Sequence, residues 1–181
     1  MQGALLYTLR AMRETHALAC YEPVDNRITA IIETLAVAGA VALAALIKVR
    51  LPFSPVPITL QTFPVLLAGF AVGRRRASAG ILLYVLLGLA QAPVFAVSTG
   101  PTLGYLLAFI ATPWIVMRFE NRAFGILAAS VAIYALGAGW LCLAYRFTPW
   151  QALIVGVVPF LAGDAVKAAA AWQLAERVRR P

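Results

Sequence analysis

Six apolar stretches follow one another through most of this chain, each set off by proline, glycine or charge. They cover residues 28–47, 58–72, 77–91, 103–117, 123–145 and 160–178. The breaks carry helix-ending chemistry: Pro52, Pro55 and Pro57; Gly73 with three arginines; a proline-bounded segment over 93–101; Glu120-Asn121; and Thr148-Pro149. A helix that crosses a bilayer needs roughly 20 apolar residues, so six would use about 120 positions. In 181 residues, of which 62% are apolar and 12% charged, little remains for a second large domain. The pattern predicts an all-α, polytopic membrane protein. It has six transmembrane helices in residues 28–181 and an amino-terminal extension over 1–27.

Within the extension, Leu5, Leu9, Met12 and His16 repeat at helical spacing, which predicts an interfacial helix. The apolar patch Ala4-Leu5-Leu6 is too short for the core of a signal peptide, and its charges follow it.

Cationic residues predict the orientation. With the amino terminus inside, the cytoplasmic side collects Arg10, Arg13, Arg27, Arg74, Arg75, Arg76, Arg118, Arg122, Arg177, Arg179 and Arg180. The outer side collects only Lys48, Arg50 and Arg146. Cytoplasmic loops are the ones enriched in Lys and Arg, so both termini are expected in the cytoplasm. The excess of 15 basic over 7 acidic residues therefore reads as membrane topology. Nucleic-acid binding is not expected, because no basic stripe alternates with aromatics in a polar segment.

Three of the stretches are short. Fifteen residues at 1.5 Å each reach about 22 Å, against a hydrocarbon core of about 30 Å. Irregular backbone at that depth is tolerated only when buried in protein or lining a cavity. The loops over 52–57, 93–102 and 146–159 are therefore expected to dip inward around a pocket open to the outside.

Charges inside an apolar span point to that pocket. Asp164 and Lys167 lie three apart, so on a helix they share a face. Ionisable groups within a span face a cavity, a substrate or each other. They read either as a packed ion pair or as a site for a ligand with N–H donors and an anionic group. In Pro55-Val56-Pro57-Ile58-Thr59-Leu60-Gln61-Thr62, the prolines force extended backbone ahead of a helix. Thr59, Gln61 and Thr62 then bind a ligand or cap the helix. Gly100-Pro101-Thr102-Leu103-Gly104-Tyr105 opens the fourth stretch. Tyr105 and Tyr84 are either ligand contacts or interfacial tyrosines. Ala36, Ala40 and Ala44 repeat every four residues beside Gly39, a stripe suited to internal helix packing or to a membrane partner. Glu33 is expected to pair with a nearby arginine.

Other chemistries find no residues. There is no Ser/His/Asp or Cys/His arrangement, no phosphate-cradling loop with a lysine, and no acidic cluster of the kind metal-dependent phosphotransferases use. One histidine and the distant Cys20 and Cys142 make neither a metal site nor a disulfide. A membrane enzyme acting on lipid is the weaker alternative, and a purely structural membrane subunit is another.

Taken together, three segments resemble the biotin-specific substrate-binding (S) components of energy-coupling factor (ECF) transporters, the BioY family. They are Pro55 to Thr62; Gly100 to Tyr105, with Leu103 where the family has glycine; and Gly156 to Lys167, with Ala162 where it has proline. The segment over 94–99 is shorter than the family's usual glycine-rich loop and has neither glycine nor arginine. The resemblance implies the S-component fold and a biotin site at the outer face of the cell membrane. Its implied partners are a transmembrane coupling (T) subunit and two ATPase subunits that use ATP; the chain itself takes no cofactor. Asp164 and Lys167 would bind the ligand, with Thr59, Gln61, Tyr84, Tyr105 and Phe95 as secondary contacts. Lys167 would meet either the carboxylate or the ureido oxygen. Ala36, Ala40 and Ala44 would face the coupling subunit. An S component for another small vitamin is the alternative in the same class.

Overall fold

The computed structural model describes residues 24–90 and 100–178. The expected extension helix, Phe95 and the segment over 94–99 lie outside the described residues. Residues 1–32 and 33–181 form two compact units. In the first, the described residues are helical from Val24; the packing below belongs to the second.

In chain order the elements are α1 (Val24–Leu46), β1 (Lys48–Val49), β2 (Ile58–Thr59), α2 (Thr62–Val72), α3 (Arg74–Leu89), α4 (Leu103–Val116), α5 (Arg122–Tyr145), α6 (Pro149–Gly156) and α7 (Val158–Arg177). Asn26–Leu46 and Arg122–Tyr145 are each long and apolar enough to cross a membrane. Helices α6 and α7, bent by 48° at their junction, reach that length and apolarity only when taken together. Helices α2 and α4 are apolar but have only 11 and 14 residues, rising about 16 and 21 Å.

The expected stretches over 103–117 and 123–145 match α4 and α5 closely. Three others need correction. The second helix begins at Thr62, because Ile58–Thr59 pairs antiparallel with Lys48–Val49. Two prolines hold residues 55–57 out of helical geometry, and the free edge of β1 takes up the next residues. This two-residue ribbon is the departure from an all-α fold. The third helix begins at Arg74, so the arginines form its first turn rather than a loop. The expected loop over 146–159 is largely helix α6. Pro149 starts that helix, and Thr148 and Gln151 form a reciprocal capping box. A proline at the first helical position loses no hydrogen bond.

The core brings Val37, Val41 and Ala45 of α1 together with Val65 and Leu66 of α2, Ile81 and Val85 of α3, and Ala108 of α4. Leu35, Leu43 and Leu46 of α1 point outward, as expected where the surrounding medium is itself apolar. The arginine end of this unit is closed by several contacts. Arg76 Nη1 pairs with Glu33 at 2.6 Å, as expected for Glu33. Arg122 Nη2 donates to the Val178 carbonyl at 3.0 Å, and its guanidinium lies over Phe70.

Candidate ligand-binding site

The far ends of these helices from the arginines enclose a cavity. Its wall combines Val56, Pro57 and Thr59 from the β1–β2 connection with Gln61 and Thr62 at the start of α2. Tyr84 comes from α3, Tyr105 and Phe109 from α4, Ile133 and Tyr134 from α5, and Phe160, Asp164 and Lys167 from α7. Lys48 of β1 also lines it and is exposed. The connection is held over the cavity by Ser54, whose Oγ donates to the Val155 carbonyl of α6 at 2.6 Å.

Helix α7 supplies the charges. Lys167 Nζ and Asp164 Oδ1 lie 2.7 Å apart, with side chains only 11% and 12% exposed. The ammonium also donates to the Thr59 carbonyl at 2.6 Å, tying α7 to the strand that precedes α2. Asp164 Oδ1 accepts a second bond from Thr62 Oγ1 at 3.2 Å, and Oδ2 accepts from Tyr134 OH at 2.8 Å. A carboxylate has about four acceptor positions and an ammonium three donors. After these bonds, Oδ2 keeps one acceptor position and Lys167 keeps one N–H. The pair is thus both a packed ion pair and a site with capacity left for one donor and one acceptor.

Thr59, Gln61 and Thr62 neither cap α2 nor stand free. Thr59 Oγ1 donates to Gln61 Oε1 at 3.0 Å, and Gln61 Nε2 donates to Tyr84 OH at 2.7 Å. Gln61 occupies the position before α2 but makes no side-chain capping bond. The motif therefore braces the site: one branch fixes Tyr84, which is 1% exposed, and the other fixes Asp164.

The Tyr105 ring lines the cavity, while its hydroxyl donates to the Gly156 carbonyl at 2.6 Å. Gly137 and Gly156 make room for it. A Cβ on Gly137 would lie 2.2 Å from the ring, and one on Gly156 would lie 2.5 Å from the hydroxyl oxygen. The GxxPF segment thus meets the GPT segment through a tyrosine and a glycine. Trp140 Nε1 adds a bond to the Gly100 carbonyl at 3.1 Å.

The alanine stripe divides. Ala36 and Ala40 are exposed, whereas Ala44 is 6% exposed and part of the interior. Sequence reasoning missed Tyr134, Lys48, Phe109 and Phe160. Phe160 lies within the Gly156–Lys167 segment, whose charged residues drew the attention. Tyr134 lies in a uniformly apolar run with nothing local to distinguish it. No group of His, Cys, Asp or Glu that could hold a metal stands together among the described residues.

These features define a helical membrane protein with a cavity lined by aromatic, apolar and charged side chains, and comparison with known proteins refines that class. The chain matches the crystal structure of an S-component for biotin from an ECF-type ABC transporter with a TM-score of 0.75. The match covers 87% of this chain and 94% of the other at 21% identity, so the likeness is one of fold. The BioY family profile matches residues 14–181, and the chain belongs to the BioY family. It is 38% identical over 141 residues to the probable biotin transporter BioY of Pyrococcus horikoshii, covering 73% of this chain and 86% of that protein. It is 35% identical over 146 residues to the biotin transporter BioY of Thermotoga maritima, with the same coverages. The chain is accordingly a transport protein and not an enzyme.

Proposed function

We propose that this chain is the biotin-capturing S component of an ECF-type transporter in the cell membrane. The observation that carries the reading is the Asp164–Lys167 pair, with one acceptor and one donor position left, in the wall of a largely apolar cavity. Biotin offers the complementary groups. Its ureido ring presents an N–H beside a carbonyl, its thiophane ring is apolar, and its valerate ends in a carboxylate.

In this reading Asp164 Oδ2 accepts one ureido N–H, a charge-assisted bond stronger than a neutral one. Lys167 gives its remaining N–H to the ureido oxygen. Phe109, Phe160 and the Tyr84 and Tyr105 rings hold the apolar part. Lys48, on the cavity wall and exposed, is the cation at hand for the valerate carboxylate. Biotin binding with high affinity follows from joining two charge-assisted contacts to an apolar enclosure.

The arginine-rich end sits in the cytoplasm by the positive-inside rule, so the cavity opens outward. Helices α1 to α5 and the bent α6–α7 pair then make six crossings, with both termini inside. Uptake is driven by a T subunit and two ATPase subunits, and the exposed Ala36 and Ala40 serve as the docking stripe on α1. The chain needs no cofactor of its own.

The test is labelled-biotin binding to the purified chain, with other vitamins as competitors. Removing one partner of a buried charged hydrogen bond costs about 2–5 kcal/mol. Asp164→Asn is therefore expected to weaken biotin binding at least about thirtyfold by calorimetry. Unchanged binding would remove Asp164 from the site. Preferential displacement of biotin by another vitamin would redirect the specificity and leave the S-component reading in place.

A further inference from the structure

A second hollow lies at the arginine end. The α2–α3 turn and the residue after α4 border an open depression of about 360 Å³ lined by Val72, Gly73, Arg74, Arg75, Arg76 and Met117. Of its three cations, Arg76 is matched by Glu33. Arg74 lies over the Trp114 ring at 4.7 Å, which holds its guanidinium in place. Neither Arg74 nor Arg75 makes a salt bridge among the described residues. The first turn of α3 contains no acidic residue, and cations at that end of a helix are disfavoured by its dipole. Among the described residues, the patch therefore carries positive charge that no acidic side chain pairs with.

The surface leading away from the hollow is apolar. On α3, Leu82 and Leu86 follow Arg75 at helical spacing and are exposed; on α4, Leu107 and Trp114 are exposed. The two helices are packed together, with Ser78 Oγ donating to the Ile110 carbonyl at 2.8 Å. Cations at one end and exposed leucines along the same two helices complement a molecule with an anionic head and apolar tails.

We propose that this hollow binds the headgroup of an anionic phospholipid. The phosphate meets the Arg74 and Arg75 guanidinium groups, whose planar donor forks suit phosphate oxygens. Trp114 lies at headgroup level, where tryptophan is favoured, and the acyl chains lie along Leu82, Leu86 and Leu107. The leucine strip favours lipid over an acidic protein surface, which would leave it unused.

Native mass spectrometry of the purified chain, with added phosphatidylglycerol or phosphatidylcholine, tests this. Each basic residue near an anionic lipid contributes about 1 kcal/mol, so phosphatidylglycerol should be retained at least about fivefold more. Arg74→Gln/Arg75→Gln should bring it to the phosphatidylcholine level. Arg74→Lys/Arg75→Lys should keep part of the preference, and Arg50→Gln should keep all of it. Thermal melting in detergent confirms that each variant is folded. Equal retention of the two lipids, or no change in the double glutamine variant, overturns the proposal. It is also overturned if glycerol phosphate, which has no acyl chains, binds as tightly as the lipid. A double glutamine variant that keeps phosphatidylglycerol yet loses transporter subunits in co-purification overturns it in favour of a protein-docking face.

Discussion

Tyr134 of α5 donates its phenolic hydrogen to Asp164 Oδ2 at 2.8 Å, on the carboxylate oxygen opposite the one that Lys167 and Thr62 engage. The carboxylate is thereby oriented from three helices at once, α2, α5 and α7. Hydrogen bonds to charged groups contribute about 1.5–3 kcal/mol. Tyr134→Phe should therefore lower the melting temperature and, by freeing the carboxylate, weaken biotin binding about tenfold by calorimetry. Full affinity in that variant would show that the carboxylate needs no support from α5.

Asp164 and Lys167 are nearly buried, so removing one partner leaves the other uncompensated. Lys167→Met alone should lower stability by about 3 kcal/mol. The double variant Asp164→Asn/Lys167→Met should be more stable than Lys167→Met alone, although it too will not bind biotin. Thermal melting of the two in the same detergent decides the order.

Lys48 is the exposed cation on the cavity wall. An exposed ion pair contributes about 0.2–1 kcal/mol, so Lys48→Gln should reduce biotin affinity by up to about fivefold. Biotin methyl ester, which lacks the carboxylate, should bind the variant and the original chain equally. An equal loss for both ligands would place Lys48 against some other part of biotin.

Tyr105 crosses Gly137 so closely that a single methyl would strike its ring. Overpacking of this kind costs about 1–3 kcal/mol. Gly137→Ala should lower the melting temperature and also weaken biotin binding, because the displaced ring is part of the cavity wall. A variant with both properties unchanged would mean that α4 and α5 separate freely at this crossing.

Ala36 and Ala40 are exposed, whereas Ala44 is interior. Ala40→Trp should abolish co-purification with the coupling subunit and leave biotin binding by the isolated chain intact. Ala44→Trp should instead unfold the chain. Normal assembly with Ala40→Trp would move the docking surface off α1.

Composition and apolar runs were enough to read a helical membrane protein, and α4 and α5 fall almost where those runs predict. Hydrophobicity is a local property, visible wherever a helix is built from a continuous apolar segment. The Asp164–Lys167 pair was legible for the same reason: its spacing of three is one helical turn. Helix α6 was not, because Pro149 ends a preceding helix as readily as it begins the next. The choice was made by the Thr148–Gln151 capping box and by packing against α5. Ile58 and Thr59 read as helix from their apolar run, because their partners in β1 lie nine and eleven residues earlier across a proline-rich turn.

The sequence by itself determined the membrane setting, the family and the presence of a charged pair on the last helix. Only the tertiary structure decided how those charges are held. Thr62 reaches Asp164 across 102 residues and the Lys167 ammonium reaches the Thr59 carbonyl across 108. Tyr134 comes from a stretch whose neighbours are all small or apolar. Such contacts depend on which helix faces meet. That is set by the summed fit of many weak side-chain contacts, which no local pattern records.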